Sequence, residues 1–178
     1  AYDKANVHRQ VLCNRTEAAR DRFTEAYKAG DRNAMIEAKN VFLELCDDIT
    51  AVLKTRHEFS LSDWISDARA WGDTPEEQEY YERNARTLVS VWGDSFHLWD
   101  YANRDWDGLV ETYYKVRWEK FFDAVIEAFD AGEPFANSTS TEYVGYTAYG
   151  SAPGVEGRAL QFDKDIWEFA CEWAHIKE

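Results

Sequence analysis

Cysteine is scarce in this chain, with Cys13, Cys46 and Cys171 the only three in 178 residues. An odd count with no CxxC pair excludes a disulfide framework and a cysteine zinc site. Cys46 lies beside an apolar stripe and reads as a small buried side chain. No apolar run approaches the ~18 residues that would span a bilayer, so no membrane partner is expected. Basic residues are also short: 20 Lys and Arg stand against 34 Asp and Glu, for a net charge of -14. That balance excludes nucleic acid as a partner, because its phosphates would repel the chain. The acids are interleaved with Lys and Arg, as on a solvated surface. Catalytic signatures are missing too: there is no GxSxG, HExxH, P-loop or dinucleotide fingerprint. The four histidines (His8, His57, His97, His175) are scattered and read as surface residues, so no metal and no cofactor are expected. No signal peptide is visible, which fits a cytosolic protein or a piece of a longer chain.

What the chain does have is aromatics and helical periodicity. Eight Trp, ten Tyr and ten Phe give it the material for a sizeable core. The length fits a single domain over 1–178. Residues 4–29 predict a helix with Val7, Val11, Ala19, Phe23 and Tyr27 on its apolar face, ended by Gly30. Asn14 of an N-x-S/T sequon falls near the edge of that face; a second sequon begins at Asn137. Residues 33–54 predict the cleanest helix, capped by Asp31 or Asn33. Ser60 to Asp63 open a short helix closed by Gly72, with Leu61, Trp64, Ile65, Ala68 and Trp71 inward. Thr74, Pro75 and Glu77 start another, which carries Tyr81, Ala85, Leu88 and Trp92 and stops at Gly93. After a connection at 93–97, a further helix bends near Gly108 and runs to about Asp130, ended by Gly132. Residues 133–161 hold four of the nine glycines and two of the three prolines and predict a long loop or small β-ribbon. A last helix runs from Asp163. The fold class is therefore all-α, an irregular bundle of about six helices.

Aromatics concentrate between Trp92 and Phe122. Sugar rings stack on Trp and Tyr faces, while Asp, Asn and Arg bond hydroxyls. Trp92, Trp99, Tyr101, Asn103, Arg104 and Trp106 offer that mixture; equally, they could fill the core. Carboxylates are too many for spacing to single out a glycosidase pair.

FSLSDWISDARAWGDTPEEQEYYERNARTLVSVWG at 59–93, DYANRDWDGLVETYYKVRWEKFFDAV at 100–125, and then GEPF and FDK, are similar in order to segments of the α-N-acetylglucosaminidase family. AYDKANVHRQVL at the start resembles the place where that family's helical domain begins. The resemblance implies the C-terminal helical domain of a retaining glycoside hydrolase. It further implies an upstream (β/α)8 catalytic barrel in the same parent chain, a glycan substrate with terminal α-linked N-acetylglucosamine, and a secreted or lysosomal or vacuolar setting. The catalytic carboxylates would lie on the barrel, so none is expected here. Trp92, Leu98 and Tyr101 would face the bound sugar, and Arg117 would be structural. Val116 departs from the family's proline, 136–161 reads as an insertion, and the family continues further after FDK. The alternatives are a stand-alone helical protein-interaction module and a helical carbohydrate-binding module.

Overall fold

A computed structural model describes residues 2–92, 102–133, 135 and 158–176. Among them are six α-helices and no strand. Helix α1 (Tyr2–Ala29) and α2 (Arg32–Leu53) form an antiparallel hairpin. The turn between them follows from two residues. Gly30 takes a left-handed backbone (φ 72°), its N–H bonds the Tyr27 carbonyl at 3.1 Å, and the Asp31 N–H reaches back to Ala26 at 2.9 Å. That pairing is a Schellman closure, which a Cβ-free residue makes cheaply. Asp31 then accepts the Ala34 N–H at 3.0 Å and caps α2, as the sequence indicates.

A short 3-10 turn (His57–Phe59) leads to α3 (Leu61–Arg69), capped by the Ser60 hydroxyl. Helix α4 (Pro75–Leu88) opens on the full capping box of Thr74 and Glu77, with Pro75 in its first turn. After Gly108, one π-helical turn (Val110–Tyr114) runs into α5 (Lys115–Asp130). Gly132 and Glu133 close α5 with the same bond pattern used at Gly30. Helix α6 (Arg158–Trp173) completes the described set.

The core is aromatic and lies where α1, α2 and α5 meet. Phe122 packs on Phe23 of α1 at 4.5 Å between centroids and on Phe42 of α2 at 5.2 Å. Phe42 also meets Trp118 at 4.9 Å. Three ion pairs tie α2 to α5 in antiparallel order: Arg32 to Asp130 (2.6 Å), Lys39 to Asp123, and Asp47 to Lys115 (2.5 Å). The steps are seven and eight residues on both helices, about two turns each, so both helices present one straight face to the other. Cys46 is buried, as expected.

Several expectations are corrected. Val7 and Val11 are 60% and 47% exposed. At about 100° per residue, the twelve residues from Val7 to Ala19 turn the helix ~120° off the stripe, so the pair cannot share the face of Phe23. Trp71, expected inward, lies beyond the end of α3 and is 76% exposed. Helix α4 stops at Leu88 and not at Gly93, with Tyr81 and Leu88 partly in solvent. Residues 103–106 are not helical, so the bent helix expected around Gly108 starts only after it. The loop or ribbon placed at 133–161 gives way to helix at Arg158, five residues before the start read at Asp163. Most of the remainder of 133–161, with Asn137, lies outside the described residues.

Among the described glycines, Gly72 makes the closest approach to other backbone. A Cβ there would sit 2.6 Å from the Gln78 nitrogen and 2.8 Å from the Glu77 carbonyl carbon, so α4 must move to admit it. Nothing lies within 4 Å of a Cβ at Gly30. Gly72→Ala should therefore cost about 1–3 kcal/mol through collision. Gly30→Ala should cost about 1–2 kcal/mol through backbone conformation alone. Urea denaturation of the two variants checks both values, with an unchanged midpoint for Gly72→Ala contradicting the α3–α4 geometry.

Candidate functional site

Leu98 and Tyr101, two of the three sugar-facing residues expected from the sequence, lie outside the described residues, as do Trp99 and His97. The third, Trp92, is described, and its backbone is unusual. Its φ is 62°, and its N–H bonds the Thr87 carbonyl at 2.7 Å. A left-handed Trp costs about 1–2 kcal/mol, because its Cβ crowds the following carbonyl. Such strain is held by surrounding packing and clusters where function needs a fixed direction. The anchor here is the layer just before it, where Val89, Ser90 and Val91 are all buried and the Ser90 hydroxyl bonds Arg86 O at 2.7 Å.

The chain re-enters at residues 102–108, and this segment is fastened at three points. Arg9 of α1 donates to the Asp105 carboxylate. Trp106 packs on Trp64 of α3 at 5.6 Å, and Trp64 Nε1 donates to the Ala85 carbonyl at 3.2 Å. Asp107 exchanges two backbone bonds with the end of the 3-10 turn: its N–H to Phe59 O at 2.7 Å, and its carbonyl with Leu61 N–H at 3.0 Å. Trp106 is thus packed between α3 and the loop, which is the core role left open for it in the sequence. Asn103 and Arg104 are exposed, and Arg104 Nη1 donates to the Asn103 carbonyl at 2.7 Å. Trp106 goes to α3, and Asn103 with Arg104 goes to the surface.

Arg117 is buried, and its guanidinium lies 4.8 Å from the centre of the Tyr113 ring. It sits inside the π-turn and α5 core, the structural role implied for it. Cys13 and Cys46 are not poised for chemistry. Burial, with Asp105 alongside, pushes Cys13 up to about 11, and burial pushes Cys46 up to about 12. Thiols that stay protonated at neutral pH are poor nucleophiles. Among the described residues no group of three or more His, Cys, Asp or Glu is placed to hold a metal ion. No helix among them is long and apolar enough to cross a membrane.

One carboxylate stands apart, and sequence reasoning missed it. Glu82 of α4 is 13% exposed and takes Arg69 of α3 at 2.6 Å and Arg86 at 2.8 Å. His175, past the end of α6, has its Nδ1 3.8 Å away. The i,i+4 step from Glu82 to Arg86 was readable, but Arg69 and His175 come from other elements. Burial acts to raise the Glu82 pKa; hydrogen bonds from Arg86 and Arg69 outweigh it and hold the carboxyl below its ordinary 4.5. Such a carboxylate stays ionised and serves as a clamp, not as a general acid.

A group with a depressed folded pKa adds stability above its unfolded value and loses it as pH falls through the folded one. Glu82→Gln should therefore cost about 1–3 kcal/mol at pH 7. The deficit should shrink as pH falls below 4.5. Thermal melts from pH 7 downward check this, and a deficit independent of pH would contradict it.

The comparisons with known proteins come to the same place as the aromatic segment. A family model described as the alpha-N-acetylglucosaminidase (NAGLU) C-terminal domain matches residues 1–148. The human alpha-N-acetylglucosaminidase is 30% identical over 135 residues, which is 75% of this chain and 18% of that protein. A solved structure of CpGH89 from Clostridium perfringens, in complex with its substrate GlcNAc-alpha-1,4-galactose, superposes with a TM-score of 0.70 at 31% identity. It covers 94% of this chain and 20% of that one. The family 89 glycoside hydrolase from Clostridium perfringens in complex with PUGNAc gives 0.70 at 29% identity, covering 95% and 21%. This chain therefore spans about a fifth of the length of the relatives it matches. With the model matched across α1 to α5 and the fold shared at that level, the chain belongs to the alpha-N-acetylglucosaminidase C-terminal domain family.

Proposed function

We propose that this chain is the C-terminal helical part of a glycoside hydrolase that removes terminal α-linked N-acetylglucosamine from glycans, and that it forms one wall of the sugar pocket. An upstream (β/α)8 barrel in the same parent chain would carry the acid and the nucleophile. The reaction would proceed by two carboxylates through a glycosyl-enzyme intermediate, with retention. The parent would be a secreted, lysosomal or vacuolar protein. Trp92, Leu98 and Tyr101 would face the sugar.

The observation that carries the pocket-wall role is Trp92. Its left-handed backbone follows a buried Val89–Val91 layer, and the chain returns through a segment pinned at Asp105, Trp106 and Asp107. A wall that contacts a transition state must be held in place before substrate arrives, and anchors at both ends supply that. The exposed Trp71, with Tyr80 half in solvent, favours a second reading as a protein-interaction module.

In the full parent chain, Trp92→Ala and Tyr101→Ala should each lower kcat/KM for an aryl α-N-acetylglucosaminide at least ~tenfold, about 1.4 kcal/mol of transition-state stabilisation, with Tm unchanged. Trp106→Ala should do the reverse, lowering Tm through its lost packing on Trp64. Unchanged kinetics in both pocket variants would reduce the domain to a scaffold. No hydrolysis by the unmutated parent would favour the interaction module.

A further inference from the structure

The groove between α3 and the π-turn plays no part in the reading above. It encloses about 470 Å³, and its polar lining includes Ser62, Ser66, Arg69, Arg86 and Thr112. Arg86 is the best-oriented of these. Its guanidinium rests 5.1 Å from the centre of the Trp173 ring, and its Nε donates to Glu82 at 2.8 Å. A planar cation held by a ring below and a carboxylate at one edge has a fixed direction. Its Nη1 and Nη2 donate to no partner among the described residues. Arg69 donates Nη1 to the same Glu82 and Nη2 to Gln78. Two guanidinium groups therefore share one ionised carboxylate, which leaves one positive charge on the Arg69–Arg86 side of the groove. The small residues at the rim help: Gly108 presents no side chain, and Ser62 and Ser66 offer hydroxyls on successive turns of α3. Asp107 also lines the groove and opposes an anion, and Lys54, 3.9 Å from it, is held by Glu111 at 3.0 Å.

We propose that this groove binds a small oxyanion, a carboxylate or sulfate group, seated on the open fork of Arg86. Parallel N–H donors on one planar cation match two oxygens of either group, and the half-buried setting strengthens the pair relative to open water. The site is separate from the Trp92 wall and independent of the hydrolase reading.

The test is equilibrium dialysis of labelled inorganic sulfate against the full-length protein that carries this chain, at low ionic strength. Saturable binding is expected in the native protein. R86Q should weaken it at least ~tenfold, and R86K, which keeps the charge and loses the fork, should also weaken it. D107N should tighten it, because the opposing charge is gone; a merely structural role for Asp107 would not do so. R83Q should bind as the native protein does, since Arg83 lies over Tyr80 and does not line the groove. Displacement of sulfate by acetate assigns a carboxylate ligand, and resistance to acetate assigns a sulfate. Absence of saturable sulfate binding in the native protein overturns the proposal. So does native affinity in R86Q, or, if R86Q does not fold, native affinity in both R86K and D107N. Dialysis reads none of the glycosidase activity, so a failure here leaves the hydrolase reading where it stands.

Discussion

Everything in this domain depends on how α5 lies along α2. Phe122 sits at the meeting point of three helices, touching Phe23 of α1 and Phe42 of α2, and Trp118 covers Phe42 one turn earlier. Burying such rings supplies the bulk of the folding energy, each worth a few kcal/mol by area. The three partly exposed ion pairs from Arg32–Asp130 to Asp47–Lys115 add little of their own but fix which turn of α5 faces which turn of α2. Slip that register and Phe122 leaves its socket.

Once α5 is placed, the rest follows from its N-terminal end. The π-turn at Val110–Tyr114 buries Tyr113, which receives Trp173 at 5.0 Å and Phe169 at 6.0 Å from α6. Trp173 then supports Arg86, and Arg86 clamps Glu82 with Arg69, so α3, α4 and α6 are joined through one carboxylate. Just before the π-turn, residues 105–107 are fastened to α1, α3 and the 3-10 turn. The short stretch that carries the candidate sugar contacts is thereby bounded by rigid structure on both sides, with a left-handed Trp92 at its entrance.

The helices and their caps were legible in the sequence, because capping and periodicity are local. Asp31, Ser60, and the Thr74–Glu77 box sit where their residue types demand. The all-α class and the family resemblance also stand. What the sequence misplaced depends on partners distant in the chain. Val7 and Val11 are apolar and helical, but the buried stripe of α1 is set by where α2 lies, and it runs through Ala5, Ala19, Phe23 and Ala26. Trp106 reads equally as a sugar platform or a core residue until Trp64 is seen against it. Glu82 looks like one acid among 34, and only the fold brings Arg69 to it. Of the three expected sugar contacts, the structure speaks to Trp92 alone, and there the signal is a backbone angle that no residue pattern encodes.

The proposed division of labour has this chain shape the pocket and an upstream barrel of the parent perform the chemistry. The most direct measurement is turnover of an aryl α-N-acetylglucosaminide by the purified 178-residue chain, side by side with the full parent chain. The account predicts hydrolysis by the parent and none above background by the chain alone. Hydrolysis by the chain alone would contradict it, because the catalytic carboxylates would then have to lie among its own acids.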